Sequence, residues 1–372
     1  MLRFAGAHLL AIIAFAGPLA RAEPPPAPAA KPDQAKPDQA TSKKSEPDKK
    51  QVDCLACHGS DPTATLDLPG GEKLSVYVDP DALAKSVHGS WSCTDCHTDK
   101  GDYPHDSAPF TDRRSVTLRA TKLCRNCHST DDVKTQNGVH EQALARGNLA
   151  AAVCVDCHGA HEVRPPREPR TRISDTCARC HQEVYATFAA SVHGKALLTG
   201  NPDVPVCTDC HKAHEIPKAK GGTFALGAPE YCGKCHTDPA RVAKYGLSTA
   251  VVRTYLADFH GMSATLQRGE AGAQPSDFTA SCTDCHGVHD IRRTHDPESR
   301  VFQANLVKTC RRCHPGASDD FPSAWLSHYE PSWKRASMVY AAQLFYRYMI
   351  PFMLAALVLQ IGLHIYRVVV KR

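Results

Sequence analysis

Eighteen cysteines fall into nine pairs, each pair separated by two residues, and a histidine follows every second cysteine. The pairs are Cys54/Cys57, Cys93/Cys96, Cys124/Cys127, Cys154/Cys157, Cys177/Cys180, Cys207/Cys210, Cys232/Cys235, Cys282/Cys285 and Cys310/Cys313. The histidines that follow are His58, His97, His128, His158, His181, His211, His236, His286 and His314. Two thiols three positions apart can add to the two vinyl groups of a haem while the adjacent imidazole ligates its iron, so each CxxCH is an attachment site for one haem c. Zinc sites and disulfides also use CxxC pairs. Neither needs a histidine after every pair, and zinc sites built from two pairs would leave one of the nine unmatched. The implied chemistry is redox chemistry at nine covalently held irons.

Whether those irons carry electrons or convert a substrate depends on the second axial ligand. Of 21 histidines, twelve remain outside the motifs. His8 lies in an apolar leader and His364 in an apolar C-terminal run, which leaves His88, His105, His140, His161, His193, His214, His260, His289, His295 and His328 for nine irons. By position, His88, His140, His193, His260 and His328 lie before or outside the second motif of a unit, and His161, His214 and His289 lie just after it. His105 is the off-register counterpart in the first unit, and His295 is spare. In the H-x-x-H of His158/His161, His211/His214 and His286/His289 the first histidine already occupies one face of its own porphyrin, so the second is expected to serve a different haem. Met262 is the sole methionine among the motifs, so at most one haem has the His/Met ligation that raises the potential. Six-coordinate, bis-histidine, low-potential haems are expected, with no catalytic residue. The alternative is a reductase or oxidase of a small nitrogen or sulfur oxyanion with one open haem, for which the first unit and His105 are the place to look.

The elements that position these groups repeat. Cys124 to Cys177, His140 to His193, Cys154 to Cys207 and His161 to His214 are all separated by 53 positions. The unit is a CxxCH, a helical stretch ending in a histidine, a connection and a C(T/V)DCH. It recurs with an insertion from Cys232 and more loosely from Cys54, and a half unit closes the series at Cys310. Pro80 to His88, Gln182 to His193 and Pro239 to His260 read as helices leading to a histidine. Gly89, Gly194 and Gly261 follow as C-caps or as room for a porphyrin face. Leu74 to Val78 is the best strand. Nine haems over the body leave roughly 31 residues each, too few for an ordinary side-chain core, so the fold class expected is mainly α with extensive loops around a haem stack.

The nine CxxCH motifs, with the phrases CTDCHKAHEI and CTDCHGVHDI and the upstream SVHG, give a sequence that resembles the multihaem c-type cytochromes of bacterial respiratory electron transfer. The resemblance covers about Cys54 to His328. It implies electron transfer between a membrane quinol-oxidising partner and a periplasmic or outer-membrane acceptor.

The flanks suggest where this happens. The chain has 372 residues, 42% apolar and 22% charged, which excludes a mostly disordered or fibrous protein. Arg3, an apolar run from Phe4 to Phe15 and Ala20-Arg21-Ala22 read as a cleaved secretory signal over 1–22. Residues 23–51 are a disordered Pro/Ala/Lys-rich linker containing KPDQA twice. The nonahaem body is expected over 52–330, a juxtamembrane segment over 331–347, a transmembrane helix over 348–366 and a cytoplasmic tail over 367–372. Basic residues flank the span on both sides, so orientation rests on the signal and places the body in the periplasm. Arg347, Gln360 and His364 lie in or beside the span, where polar groups usually face a partner. His364 is read either as an interfacial histidine or as a contact to the haem or quinone of an integral-membrane cytochrome b or quinol-oxidising subunit. With the signal removed and two propionates per haem, the formal charge of +5 becomes roughly −15. Nucleic acid is not an expected partner.

Overall fold

The computed structural model describes residues 53–100, 105, 110–219, 222–268, 279–325 and 328–370. The expected signal and linker, His8 among them, lie outside the described residues. Those described form short helices joined by loops, with one two-stranded antiparallel sheet of Thr65–Asp67 against Lys73–Ser75. Leu74 sits opposite Leu66 in that sheet, but the strand expected from Leu74 to Val78 stops at Ser75. Beyond it the backbone turns onto the first motif, where the Val78 N–H donates to the His58 carbonyl at 2.7 Å.

The motifs take two local forms, and the residues between the cysteines explain them. The second motif of each unit opens a one-turn helix: Cys93–Cys96, Cys154–His158, Cys207–His211 and Cys282–His286. Its inner aspartate folds back on the turn, so that Asp95, Asp156, Asp209 and Asp284 accept from the N–H groups of Ser92, Val153, Val206 and Ser281 at 2.7 to 2.8 Å. Each carboxylate thereby satisfies one donor left open at a helix start and complements the dipole there. The later first motifs instead sit at the ends of longer helices: Arg113–Arg125, Thr171–Ala178, Ala228–His236 and Gln303–Cys310. Their inner residues include Arg125, Arg179, Lys234, Arg311 and Arg312, cations suited to a helix C-terminus.

The expected helices ending in a histidine are corrected. Pro80–Ala84 and Gln182–Ala190 stop short of His88 and His193, and the stretch from Pro239 breaks into Pro239–Val242, a turn at Ala243–Tyr245, and Val251–Leu256. His140, His193 and His260 instead lie in the first turn of new helices, Val139–Ala145, Val192–Leu198 and Phe259–Arg268. The break comes from capping groups placed just before the histidines. The Ser191 hydroxyl accepts from Gly194 N–H at 3.0 Å, and Asp258 Oδ1 accepts from His260 N–H at 2.7 Å. Gly194 and Gly261 are therefore not C-caps. A β-carbon at either would run into the backbone of the preceding helix, at Phe188 and Tyr255 respectively, so glycine is what lets successive helices pack this closely.

Buried apolar side chains are few and mostly small. Ile173, Leu197 and Val206 form one cluster, flanked by Phe188 and Val204, and Leu226, Tyr255 and Ala264 form another. The helix Ser337–Val370 follows, 34 residues long with Pro351 inside it. It begins eleven positions before the span expected at 348, within the expected juxtamembrane segment, and is long and apolar enough to cross a membrane.

Candidate metal centres

Each of the nine motif histidines faces one histidine from elsewhere in the chain, and no histidine is used twice. The pairs, by separation of ring centres, are His58–His105 at 6.0 Å, His97–His161 at 6.0 Å, His128–His88 at 6.1 Å, His158–His214 at 6.1 Å and His181–His140 at 6.2 Å. The remaining four are His211–His289 at 5.9 Å, His236–His193 at 6.2 Å, His286–His328 at 6.1 Å and His314–His260 at 6.3 Å. His295 faces no histidine and lies 3.1 Å from the Thr294 hydroxyl.

This separation tests whether the residues fit a haem. An imidazole nitrogen about 2 Å from a metal on each side, with the ring centre about 1.2 Å behind it, puts two axial rings about 6.4 Å apart. The observed range of 5.9 to 6.3 Å fits one iron between each pair. Among the described residues no three His, Cys, Asp or Glu side chains converge on one point, as an all-protein zinc site would require. Two axial ligands with two adjacent thiols suit a metal whose other four ligands come from a porphyrin. When bound, that haem supplies one-electron redox chemistry.

The attachment cysteines are less enclosed than a haem-packed body suggests. Every first cysteine is half-buried, whereas Cys57, Cys96, Cys127, Cys157, Cys180 and Cys313, all second cysteines of their motifs, are exposed. Cys96, Cys127, Cys157, Cys180 and Cys313 each lie near a second cysteine of an adjoining motif, while Cys57 stands at the open start of the series, where no earlier motif can cover it. The Ser60 hydroxyl donates to the Cys57 carbonyl at 3.0 Å.

The pairing interlocks the repeats. His88, His140, His193 and His260 each serve the first motif of the following unit. His161, His214, His289 and His328 each serve the second motif of the preceding unit. In each H-x-x-H the second histidine thus faces a different motif from its neighbour. No unit precedes the first motif to lend it a histidine, so His58 takes His105 from its own unit, which accounts for the odd register of His105. Backbone bonds bracket the two sets. Val87, Val139 and Val192, each next to a partner histidine, donate to the carbonyls of Val163, Ile216 and Ile291 at 2.8 to 3.0 Å. Gly138 lies so close to the His214 carbonyl that a side chain there would collide with it.

Further groups orient the rings. His58 Nδ1 lies 2.8 Å from the Val76 carbonyl, which holds its other nitrogen toward His105. His214 Nδ1 is 3.4 Å from Asp131, and His260 Nδ1 is 3.6 Å from Asp258, whose other oxygen accepts from Trp325 Nε1 at 3.0 Å. Burial pushes His193 and His286 down to about 4, so both imidazoles are held in the neutral form that ligates metal.

Sequence reasoning missed the arginines that brace the aspartate caps. Arg114 reaches Asp156 at 2.8 Å and the carbonyls of Leu149 and Ala151. Arg170 reaches Asp209 at 2.5 Å and the Pro202 carbonyl. The available signal was the aspartate repeated in the second motif of four successive units, a half-buried acid that needs a cation.

Residues 152–237 match the family model of cytochrome c3. That stretch contains the motifs at Cys154, Cys177, Cys207 and Cys232, together with His161, His193 and His214. The match supports a multihaem c-type cytochrome, an electron-transfer protein with covalently bound haem c. No curated protein and no solved structure matches the chain.

Proposed function

We propose that this chain is a membrane-tethered electron carrier with nine covalently attached haem c groups, each held between two histidines. It passes electrons between a quinol-oxidising partner in the cytoplasmic membrane and a periplasmic or outer-membrane acceptor. The observation that carries this reading is the one-to-one pairing of nine motif histidines with nine others. The chain's part is to present two neutral imidazoles along one axis and two thiols at one edge, and to keep both faces of each haem occupied. A carrier needs this, because an iron with both axial positions filled changes oxidation state without binding substrate. An oxyanion reductase would need at least one motif histidine without a partner.

The C-terminal helix is the proposed anchor, with the body on the periplasmic side, where haem is attached. The test is electron paramagnetic resonance and optical titration of the purified oxidised protein, repeated with nitrite and cyanide, and with carbon monoxide after reduction. Nine low-spin haems that ignore these ligands are expected. A high-spin, ligand-binding haem would overturn the carrier reading in favour of the reductase.

A further inference from the structure

Contacts among the motifs follow a rule. Within each unit the first cysteines of its two motifs lie together: Cys54 sits beside Cys93, Cys124 beside Cys154, Cys177 beside Cys207, and Cys232 beside Cys282. The two motif histidines of a unit are also neighbours, as His97 to His58, His158 to His128, His211 to His181 and His286 to His236. Between units the second cysteine of one motif lies near the cysteines of the next: Cys96 near Cys127, Cys157 near Cys180, Cys210 near Cys232 and Cys235, and Cys285 near Cys310 and Cys313. These links join all nine motifs in the order of the sequence and skip none. By the same rule Cys57, whose motif has no predecessor, falls at the end of the series; it is exposed, as are five other second cysteines.

The junctions between units carry their own clamps. Arg179 Nη2 donates to the Cys157 carbonyl at 3.4 Å, and Arg312 Nη1 to the Asp284 carbonyl at 2.9 Å. Lys234 sits near Cys210. At these junctions a basic inner residue of one motif therefore reaches the backbone or the cysteine of the motif before it. At the C-terminal end His328 lies 3.5 Å from the Thr254 hydroxyl, and Glu330 pairs with Arg253. Arg335 then lies over the Tyr329 ring at 4.6 Å and Trp333 meets Tyr340 edge to face at 5.1 Å, so the last two motifs are tied directly to the start of the membrane helix.

We propose that the chain lays out its nine attachment motifs in single file in sequence order, so that an electron crossing the molecule visits every one in turn. The His314–His260 and His286–His328 centres form the end at the membrane, and the His58–His105 centre forms the other end. The proposal rests on reading each motif as a haem site. Each step passes one electron to the neighbouring iron, with no bond made or broken. The donor at the membrane end is a quinol-oxidising membrane protein, and the acceptor at the far end is a second redox protein.

The test injects one electron at a known end of the full-length protein in detergent. With all eighteen native cysteines in thioethers, Lys73→Cys provides the sole free thiol. Lys73 is exposed on the strand beside the His58 site and can carry a ruthenium photosensitiser. His260→Met marks the ninth haem with a distinct spectrum and a raised potential, making it the electron's destination. After a flash, the marker is expected to become reduced. Removing the fifth haem with Cys177→Ala and Cys180→Ala is expected to abolish that signal. Should this variant fold poorly, His140→Met keeps the fifth haem and raises its potential, and the electron is then expected to stop there with the haems beyond it still oxidised. Undiminished arrival at the marker without the fifth haem, or unhindered passage in His140→Met, would overturn the single file. A haem content below nine before any flash would instead count against the functional reading itself.

Discussion

His193 lies in sequence between the motifs at Cys177 and Cys207, yet its ring faces His236, which belongs to neither. His193→Ala is therefore expected to open the haem at Cys232 and Cys235 and to leave both flanking haems six-coordinate. One of nine centres changes, so one-ninth of the iron should move from the low-spin to the high-spin signal and bind carbon monoxide after reduction. The Val192 N–H still donates to the Ile291 carbonyl, so the local backbone bracket survives. Losing a buried ring costs about 2 to 4 kcal/mol by comparison with other large-to-small core changes, which should appear as a lower melting temperature without loss of fold. The assay is spin quantitation with a carbon monoxide difference spectrum, repeated in His193→Ala combined with Cys232→Ala and Cys235→Ala. The combined variant is expected to lose the new carbon monoxide signal. If that signal persists, or never appears in His193→Ala, the interlocked pairing is wrong.

Other perturbations read different parts of the argument. A chain ending at Arg335 lacks the apolar helix and is expected to leave the membrane fraction with its haem content unchanged, as cell fractionation and haem quantitation would show. A chain ending at Asp320 also loses His328 and should gain one ligand-binding haem, at His286, visible as a carbon monoxide band. Arg170→Ala removes a charged donor from Asp209 and the Pro202 carbonyl and is expected to destabilise the protein by about 2 kcal/mol, measured by urea unfolding. Gly194→Ala forces a methyl group against the Phe188 carbonyl and should cost about 1 to 3 kcal/mol in the same assay, whereas Thr199→Ala on the exposed end of that helix should change little.

Much of the site can be read from the chain because covalent chemistry is local. Two thiols three positions apart suit one porphyrin and the next residue suits its iron, so the expectation for Cys54, Cys57 and His58 needs no reference to anything distant. The partner histidines were visible as a set through the repeat of 53 positions and through the count of histidines to motifs. The H-x-x-H spacing further showed that His161, His214 and His289 must reach away from their own motifs. The apolar C-terminal helix was visible by composition, although its start at Ser337 was not, because Gln343 and Arg347 interrupt the apolar run before 348 and the helical backbone joins these residues to it.

Which histidine meets which motif was decided only by tertiary structure, since a ligand pair is set by where loops and helix starts lie in space and not by distance along the chain. Nothing in the sequence says that His140 serves the unit after it while His214 serves the unit before it. That follows from capping by Ser191 and Asp258, from close approach at Gly138, Gly194 and Gly261, and from the backbone bonds at Val87, Val139 and Val192. The sequence alone determined the number of CxxCH motifs and the chemistry expected of them, because each motif is complete within five residues. The fold alone determined which histidines face each other, because helix caps, close approaches at glycine and long-range backbone bonds bring distant histidines together.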